Sequence, residues 1–301
     1  MDRFATMEAF VRIIETGSFS AAARQLRVGQ PSISKAVAQL EERLGTRLLS
    51  RSTRGLTPTE AGQGFYERAK RALDEANEAD LAATGAGTGL TGRLRFSATV
   101  TFARLHVMPL LPAFLEAHPA LTVEAILDDR SVDLIGENID IALRMGDPKS
   151  MTVTGKRIAT SRRVVVATSN YLDRHGTPER PGDLPKFPAV IYTQGGGGDT
   201  WTFRKGAKSE VVTLKNMIST TAAEGVREAV FAGMGLAVST EWMFQPEIDL
   251  HRVETVLRDW TLPSLDLWAV YPAGRQATAK ARAFAAFISE CLAKTPFAPA
   301  G

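Results

Sequence analysis

The chain has almost no cysteine. A lone Cys291 among 301 residues excludes an internal disulfide framework and suits a reducing compartment. No apolar run approaches the roughly 20 residues that span a bilayer, so no membrane partner is expected. The opening "MDRFATMEAF" has no signal-peptide core, which makes a cytoplasmic location the expectation. Enzyme motifs are also missing: there is no GxSxG and no Walker A. The four histidines, His106, His118, His175 and His251, are scattered without the paired spacing of a metal site. Cys291 has no histidine near it in sequence. No catalytic residue, metal or cofactor is therefore assigned, and no enzyme is expected.

What remains is a chain long enough for about two domains. Its hydrophobic content of 44% and charged content of 23% are those of a soluble globular protein. The charge is uneven. Residues 1–70 hold eleven Lys/Arg against seven Asp/Glu, whereas the remainder holds 25 against 26. The basic excess thus sits at the N-terminus, where it suits phosphate contact.

Phe4, Met7, Val11 and Ile14 recur at helical spacing, so residues 3–16 read as an amphipathic helix ended by Gly17. Ser18 or Ser20 can cap a second helix, "AAARQL". A turn at Gly29 follows, with Pro31 in the first turn of a third helix. Ile33, Val37, Leu40 and Leu44 form its core stripe. The opposite face carries Gln30, Pro31, Ser32, Lys35, Ala38, Gln39 and Glu42, with Ser34 at the flank. Small residues permit close approach, while Gln and Lys reach base edges or phosphates. The pair of helices reads as a helix-turn-helix. In "RLLSRSTRGLTPTEAG", Arg47, Arg51 and Arg54 surround small hydroxyl residues before Gly55, as a short β-wing would. Thr57–Glu60 reads as a capping box with Pro58 at the first helical position. A long helix is expected from there to about Thr84. Ala61, Phe65, Ala69, Ala72, Ala76 and Ala79 make a continuous seam suited to pairing two such helices. "GAGTGLTG" (85–92) then reads as a hinge.

Three stretches, "MEAFVRIIETGSFSAAARQL", "QPSISKAVAQLEERLGTRLLSR" and "LTPTEAG", resemble the LysR-type transcriptional regulators. Further segments are similar to the effector domain of that family: "GRLRFSATVTF", "PLLPAFLEAHPALTVEAILDD", "DIALRMG", "YLDRHGTPERPGDL", "FAGMGLAVS" and "LWAVYPAGR". They resemble most the branch with "RIG" after the third strand. The resemblance implies an α/β chain in three parts: a winged helix-turn-helix (1–57), a linker helix and hinge (58–90), and a two-lobed effector domain of periplasmic-binding-protein type (91–301). It implies a homodimer or a dimer of dimers on an interrupted palindrome of double-stranded DNA, with RNA polymerase as a further partner if the protein activates. The DNA-contacting set falls on Gln30, Pro31, Ser32, Ser34, Lys35 and Gln39, with Arg51 and Arg54 in the wing. Many relatives carry Arg at position 35; Lys lacks the bidentate fork, which leaves phosphate and guanine roles both open.

Beyond Leu94, strand-like and helix-like segments alternate. "LRFSA", a helix over 102–117, "TVEAILDD", a helix over "SVDLIGEN" and "DIALRMG" predict a β-α-β-α-β unit with a parallel sheet. "RRVVVAT" opens a second unit. It continues through "PAVIYT", a hairpin at 201–214, a helix at 221–232 and "GLAVST"; "LDLWAVYP" and a helix at 277–293 return to the first. Lobe I is then about 91–161 and 266–301, lobe II about 162–265, with a cleft between them. Ser97, Thr99 and Thr101, with free helix amides, are candidate effector contacts. So are Phe102, Arg144, Thr220 and Thr221. Each has a plain structural alternative: a capping hydroxyl, an arginine paired with an acid, or a core phenylalanine. "GGGG" (195–198) is either a lip over the cleft or a simple loop. The expected effector is a small organic molecule, a carboxylate or a phenolic acid. The competing reading is a ligand-independent repressor with a vestigial cleft. A solute-binding protein conflicts with the missing export signal and the basic headpiece, and an enzyme leaves residues 1–84 without a purpose.

Overall fold

The computed structural model describes residues 2–52, 55–84, 90–146, 154–194, 197–273 and 277–294, with the backbone alone of 51, 52, 55, 74 and 77–84. The chain divides into two units, Met1–Thr88 and Gly89–Gly301.

The first unit opens with α1 (Arg3–Thr16). The Asp2 carboxylate accepts from the Phe4 amide at its start, and Gly17 closes it at φ 65°. Ser18 caps α2 (Phe19–Leu26) by accepting from the Ala21 amide. Gly29 precedes α3 (Gln30–Leu44), with Pro31 in the first turn. Pro31 costs nothing there, because the first helical amides have no partner within the helix. The three helices bury Phe10, Ile13, Ala22, Ile33, Ala36, Val37 and Leu40 together. Leu44 departs from the expected stripe and is 41% exposed. The chain turns at Gly45 (φ 64°) and brings Leu48 and Leu49 into the core instead.

Strands β1 (Leu49–Ser52) and β2 (Gly55–Pro58) pair antiparallel as a short wing. The capping-box reading is corrected here. Thr57 and Pro58 belong to β2, opposite Ser50 and Leu49. The cap of α4 (Glu60–Thr84) is Thr59, whose hydroxyl accepts from the Gly62 amide and donates to the Arg47 carbonyl. The Thr59 amide donates to the Leu48 carbonyl. Strand pairing thus claims the residues that local sequence would give to the cap. The seam of α4 also starts differently. Ala61 is exposed and Gly62 is buried, Phe65 meets Phe10 edge to face at 5.4 Å, and Ala69 is buried. Ala72 and Ala76 are half-buried; the side chain of Ala79 lies outside the described residues.

Among the described residues, the second unit holds four sheets, of five, three, two and two strands. Its first lobe has a five-stranded sheet in the order β4-β3-β5-β14-β6. Strand β3 (Gly92–Ala98) runs parallel to β4 (Leu121–Leu127) and β5 (Ile141–Met145). Strand β14 (Leu265–Tyr271) lies antiparallel to β5 and to β6 (Thr154–Ser161), so the sheet is mixed rather than parallel throughout. The expected helix over 102–117 is broken into α5 (Val100–Phe102), a wide turn Ala103–Val107, a tight turn Met108–Leu110 and α6 (Leu111–Ala117). Pro109 and Pro112 remove the amides that a continuous helix needs. No helix forms over "SVDLIGEN"; residues 134–138 are a turn. The Asp133 carboxylate takes the Ile135 amide, and Asn138 sits at φ 57°, which is local bonding that competes with a helix.

The second lobe pairs β7 (Arg163–Thr168) with β12 (Ala237–Thr240) and β13 (Val253–Val256), both antiparallel. Strand β8 (Pro188–Tyr192) runs parallel to β11 (Lys215–Thr220) and is bridged to Leu236 through Ala189. The hairpin β9 (Thr200–Lys205) and β10 (Lys208–Thr213), α7 (Ser169–His175), α8 (Ala223–Phe231) and α9 (Glu241–Asp249) complete it. Arg227 of α8 is buried and ion-paired with Glu247 of α9 at 2.6 Å. Helix α10 (Ala279–Ala293) returns to the first lobe, where Phe284 packs on Phe96 and Phe114.

Gly62 sets a tight approach. A Cβ there would stand 1.9 Å from the Leu48 carbonyl oxygen, whereas one at Gly64 would meet only the end of Arg68 at 3.4 Å. Forcing a methyl into such a contact costs typically about 1–3 kcal/mol. Gly62→Ala is therefore expected to lower the chemical-denaturation midpoint of the N-terminal transition, and Gly64→Ala to leave it unchanged or raise it.

Candidate nucleic-acid face and candidate ligand cleft

On α3, burial divides the helix in two. Ile33, Ala36, Val37 and Leu40 face the core, while Gln30, Pro31, Ser32, Lys35, Ala38, Gln39 and Glu42 are exposed and Ser34 is half-buried. The Gln30 amide oxygen accepts from the Ser20 hydroxyl at 2.9 Å, which ties the tip of α3 to α2. Glu41 is drawn off the exposed face. Its carboxylate accepts from the Leu48 and Leu49 amides at 2.7 and 3.0 Å and so anchors the start of the wing. The exposed face therefore carries Lys35 with no acid before Glu42. Arg51 is in β1, with its backbone opposite Leu56; its side chain, and Arg54 altogether, lie outside the described residues.

The cleft of the second unit holds a cavity of about 120 Å³, smaller than the roughly 300–1,000 Å³ of drug-sized sites. Both lobes contribute walls: Thr99, Thr101, Phe102, Asp129, Arg144 and Met145 from one, Arg163, Tyr192, Trp201, Ala223, Val238 and Trp242 from the other. Of the expected contacts, Thr99, Thr101, Phe102 and Arg144 reach this cavity. Phe102 is also core, with its ring 5.6 Å from that of Trp242. Thr101 is buried and its hydroxyl has no hydrogen-bond partner among the described residues.

Three expected contacts do not line this cavity. Ser97 is fully buried behind the wall, and its hydroxyl accepts from Arg144 at 3.1 Å. Thr220 is spent on local turn bonds with Ala222, and neither it nor Thr221 lines the cavity. The expected free amides are occupied as well. Val100 and Ala223 donate to the two carboxylate oxygens of Asp129, at 3.0 and 2.7 Å. Asp129 was legible only as the last residue of "TVEAILDD", an acid at the end of a parallel strand. Of "GGGG", Gly197 lines the cavity, whereas 195 and 196 lie outside the described residues.

The charged groups of the cleft are held by the fold. Arg144 donates to the carbonyls of Asp128 and Arg130. Burial lowers its pKa, and the charges of Asp128, Glu137 and Asp129 oppose that. Arg163 donates to the Pro263 and Ser264 carbonyls and lies over the Trp201 ring at 4.9 Å; burial lowers its pKa too. The Tyr192 hydroxyl is pushed upward by burial and then by the Asp129 charge, so it stays a neutral phenol. His106 bonds the Trp242 carbonyl at 2.8 Å, and its burial depresses its pKa. Among the described residues no group of three or more His, Cys, Asp or Glu could hold a metal, and no helix is long and apolar enough to cross a membrane.

A helix-turn-helix with a wing, followed by a unit with a cleft between two sheet-based parts, is the plan of a DNA-binding regulator. The "Bacterial regulatory helix-turn-helix protein, lysR family" model matches residues 4–63, and the "LysR substrate binding domain" model matches residues 87–293. The chain belongs to the LysR family of transcriptional regulators. It is 31% identical to the probable HTH-type transcriptional regulator LtrA of Klebsiella pneumoniae, over 94% of this chain and 93% of that one. It is also 31% identical to the HTH-type transcriptional regulator PtxR of Pseudomonas aeruginosa, over 96% and 93%. The structure of CrgA, a LysR-type regulator from Neisseria meningitidis, matches with a TM-score of 0.60 at 25% identity, over 95% of this chain and 98% of that one. The Vibrio cholerae virulence activator AphB matches in fold with a TM-score of 0.56 at 24% identity, over 95% and 98%. The family and these relatives are transcriptional regulators, not enzymes.

An unpaired buried hydroxyl costs about 1–3 kcal/mol. Thr101→Val removes it at nearly constant volume. Thermal unfolding without ligand should therefore be unchanged or shifted upward, and a clear loss of stability would show that the hydroxyl has a partner in the folded chain.

Proposed function

We propose that this regulator reads DNA with Gln30, Pro31, Ser32, Ser34, Lys35 and Gln39 in the major groove, supported by Arg51 and Arg54 in the wing. A small organic effector bound between the two lobes modulates that binding. The observation that carries the effector half is the open cavity with aromatic walls and the unpaired Thr101 hydroxyl. Thr99, Phe102 and Arg144 complete its contacts. The phenolic half of the expected effector chemistry keeps support from those aromatic walls; the carboxylate half rested on hydroxyls, on Arg144 and on amides, of which Asp129 fills the amides. An open cavity favours this reading over the ligand-independent repressor. The protein acts in the cytoplasm as a homodimer or a dimer of dimers on an interrupted palindromic operator, and it meets RNA polymerase if it activates.

The test is a thermal-shift screen of the full chain against small organic acids, phenols and neutral aromatics. A ligand at a hundred times its Kd stabilises by about 2.7 kcal/mol, and a hit must also change operator affinity or footprint. A hit that leaves both unchanged removes the coupling; no hit at all favours the ligand-independent repressor. For the DNA half, Lys35→Ala should weaken operator binding. If Lys35 meets a phosphate, the loss is uniform across sequences and the salt slope falls by about one contact. Unchanged binding removes Lys35 from the interface.

A further inference from the structure

We infer that Asp129 is a built-in occupant of the anion position between the lobes: it latches them together and tunes the cleft for an uncharged aromatic ligand, against small carboxylates. This deepens the effector reading above and rests on it.

The geometry is specific. One carboxylate oxygen of Asp129 accepts from Val100 in the first lobe at 3.0 Å, and the other accepts from Ala223 in the second lobe at 2.7 Å. These amides begin α5 and α8, where backbone N–H groups have no partner within their own helix. A ligand carboxylate would compete for the same two donors against a side chain tethered beside them, and would meet its negative charge. Arg144 and Arg163 keep their charge, but they spend donors on the Asp128 and Arg130 carbonyls and on those of Pro263 and Ser264. A second link joins the lobes beside the first: Arg104 grips Glu224 with two bonds, at 2.9 and 3.3 Å. What the cavity leaves to a ligand is different in kind. It has aromatic faces at Phe102, Tyr192, Trp201 and Trp242 and the unpaired, buried hydroxyl of Thr101. That is the complement of a neutral aromatic ring bearing a hydrogen-bonding group.

Benzoate and benzamide make a matched probe pair, equal in shape and different in charge. Their affinities for the full-length wild type and for Asp129→Ala are measured by titration calorimetry at constant ionic strength. The wild type should prefer benzamide, and Asp129→Ala should reverse the order, with benzoate affinity rising by at least about tenfold because a like charge has gone and two amides are open. The emission of the cleft tryptophans, Trp201 and Trp242, should shift to the red in Asp129→Ala and return on adding benzoate, as the exogenous carboxylate replaces the missing one. The same order of affinities in both proteins, or no benzoate response in Asp129→Ala, overturns the inference. If Asp129→Ala does not unfold cooperatively, Asp129→Asn carries the test. It keeps one acceptor and loses the charge, so its benzoate affinity should exceed that of the wild type; an equal affinity overturns the inference. No readout uses DNA or a natural effector. A failed latch therefore leaves the effector reading standing, with carboxylates again eligible, while a failed effector reading leaves the reversal of preference intact.

Discussion

The regulatory unit depends on two backbone amides from separate lobes meeting the same carboxylate. Asp129 stands there because β4 ends at Leu127 and the chain bends across the tip of the sheet. That bend is fixed from two sides. The Asp128 amide donates to the Ala98 carbonyl at the end of β3, and Arg144 of β5 holds the carbonyls of 128 and 130. Arg144 in turn leans on the buried Ser97 hydroxyl. Across the cleft, the buried Arg227–Glu247 pair ties α8 to α9 and so fixes the start of α8 where Ala223 donates. Removing one member of such a buried pair costs typically about 3–5 kcal/mol, which makes it a firm footing for the amide.

The N-terminal unit solves the same problem with another carboxylate. Orphan amides at the entry to β1 are satisfied by Glu41 from α3, while Thr59 closes the start of α4 and the Arg47 carbonyl together. Charge and geometry gain from the one placement. Turning Glu41 inward orders the wing relative to α3 and also clears an acid from the exposed face that holds Lys35. A helix that offers amides, hydroxyls and a cation to a polyanion benefits from both.

The helix-turn-helix was almost wholly legible, because its determinants are local: Gly17, Gly29 and Gly45 at helix ends, Ser18 as a cap and Pro31 in a first turn. Local reading failed where a distant partner decided. Pairing with β1 took Thr57 and Pro58 from the cap of α4, and an Asp133 side chain with a left-handed Asn138 dissolved an expected helix. Strands β6, β11 and β13, with their weak or irregular alternation, were not anticipated. In the cleft, Thr99, Thr101 and Phe102 followed from their place after β3, and Arg144 from its place near the end of β5. Ser97 points behind the sheet, as alternation along a strand allows but does not decide. Asp129 was missed because its role belongs to two amides that are remote in sequence, one of them 94 residues away.

The links across the cleft also set the energy scale on which any effector must act. Among the described residues they include the Asp129 carboxylate with its two amides, the Arg104–Glu224 pair, and the His106 bond to the Trp242 carbonyl. A net hydrogen bond contributes about 0.5–1.5 kcal/mol, and one to a charged group about 1.5–3 kcal/mol. Arg104 is half exposed, so its share is at the low end. These polar links together contribute a few kcal/mol, beside the packing of Trp242 on Phe102. A shift from 1:99 to 99:1 needs about 5.5 kcal/mol of differential binding, and a ligand changes such an equilibrium only by its preference for one arrangement. An aromatic ring packed against walls from both lobes gains contact only when the lobes are together. Its effect is then to reinforce the arrangement that Asp129 already favours, so the same few side chains govern both which molecule is admitted and how far the equilibrium can move.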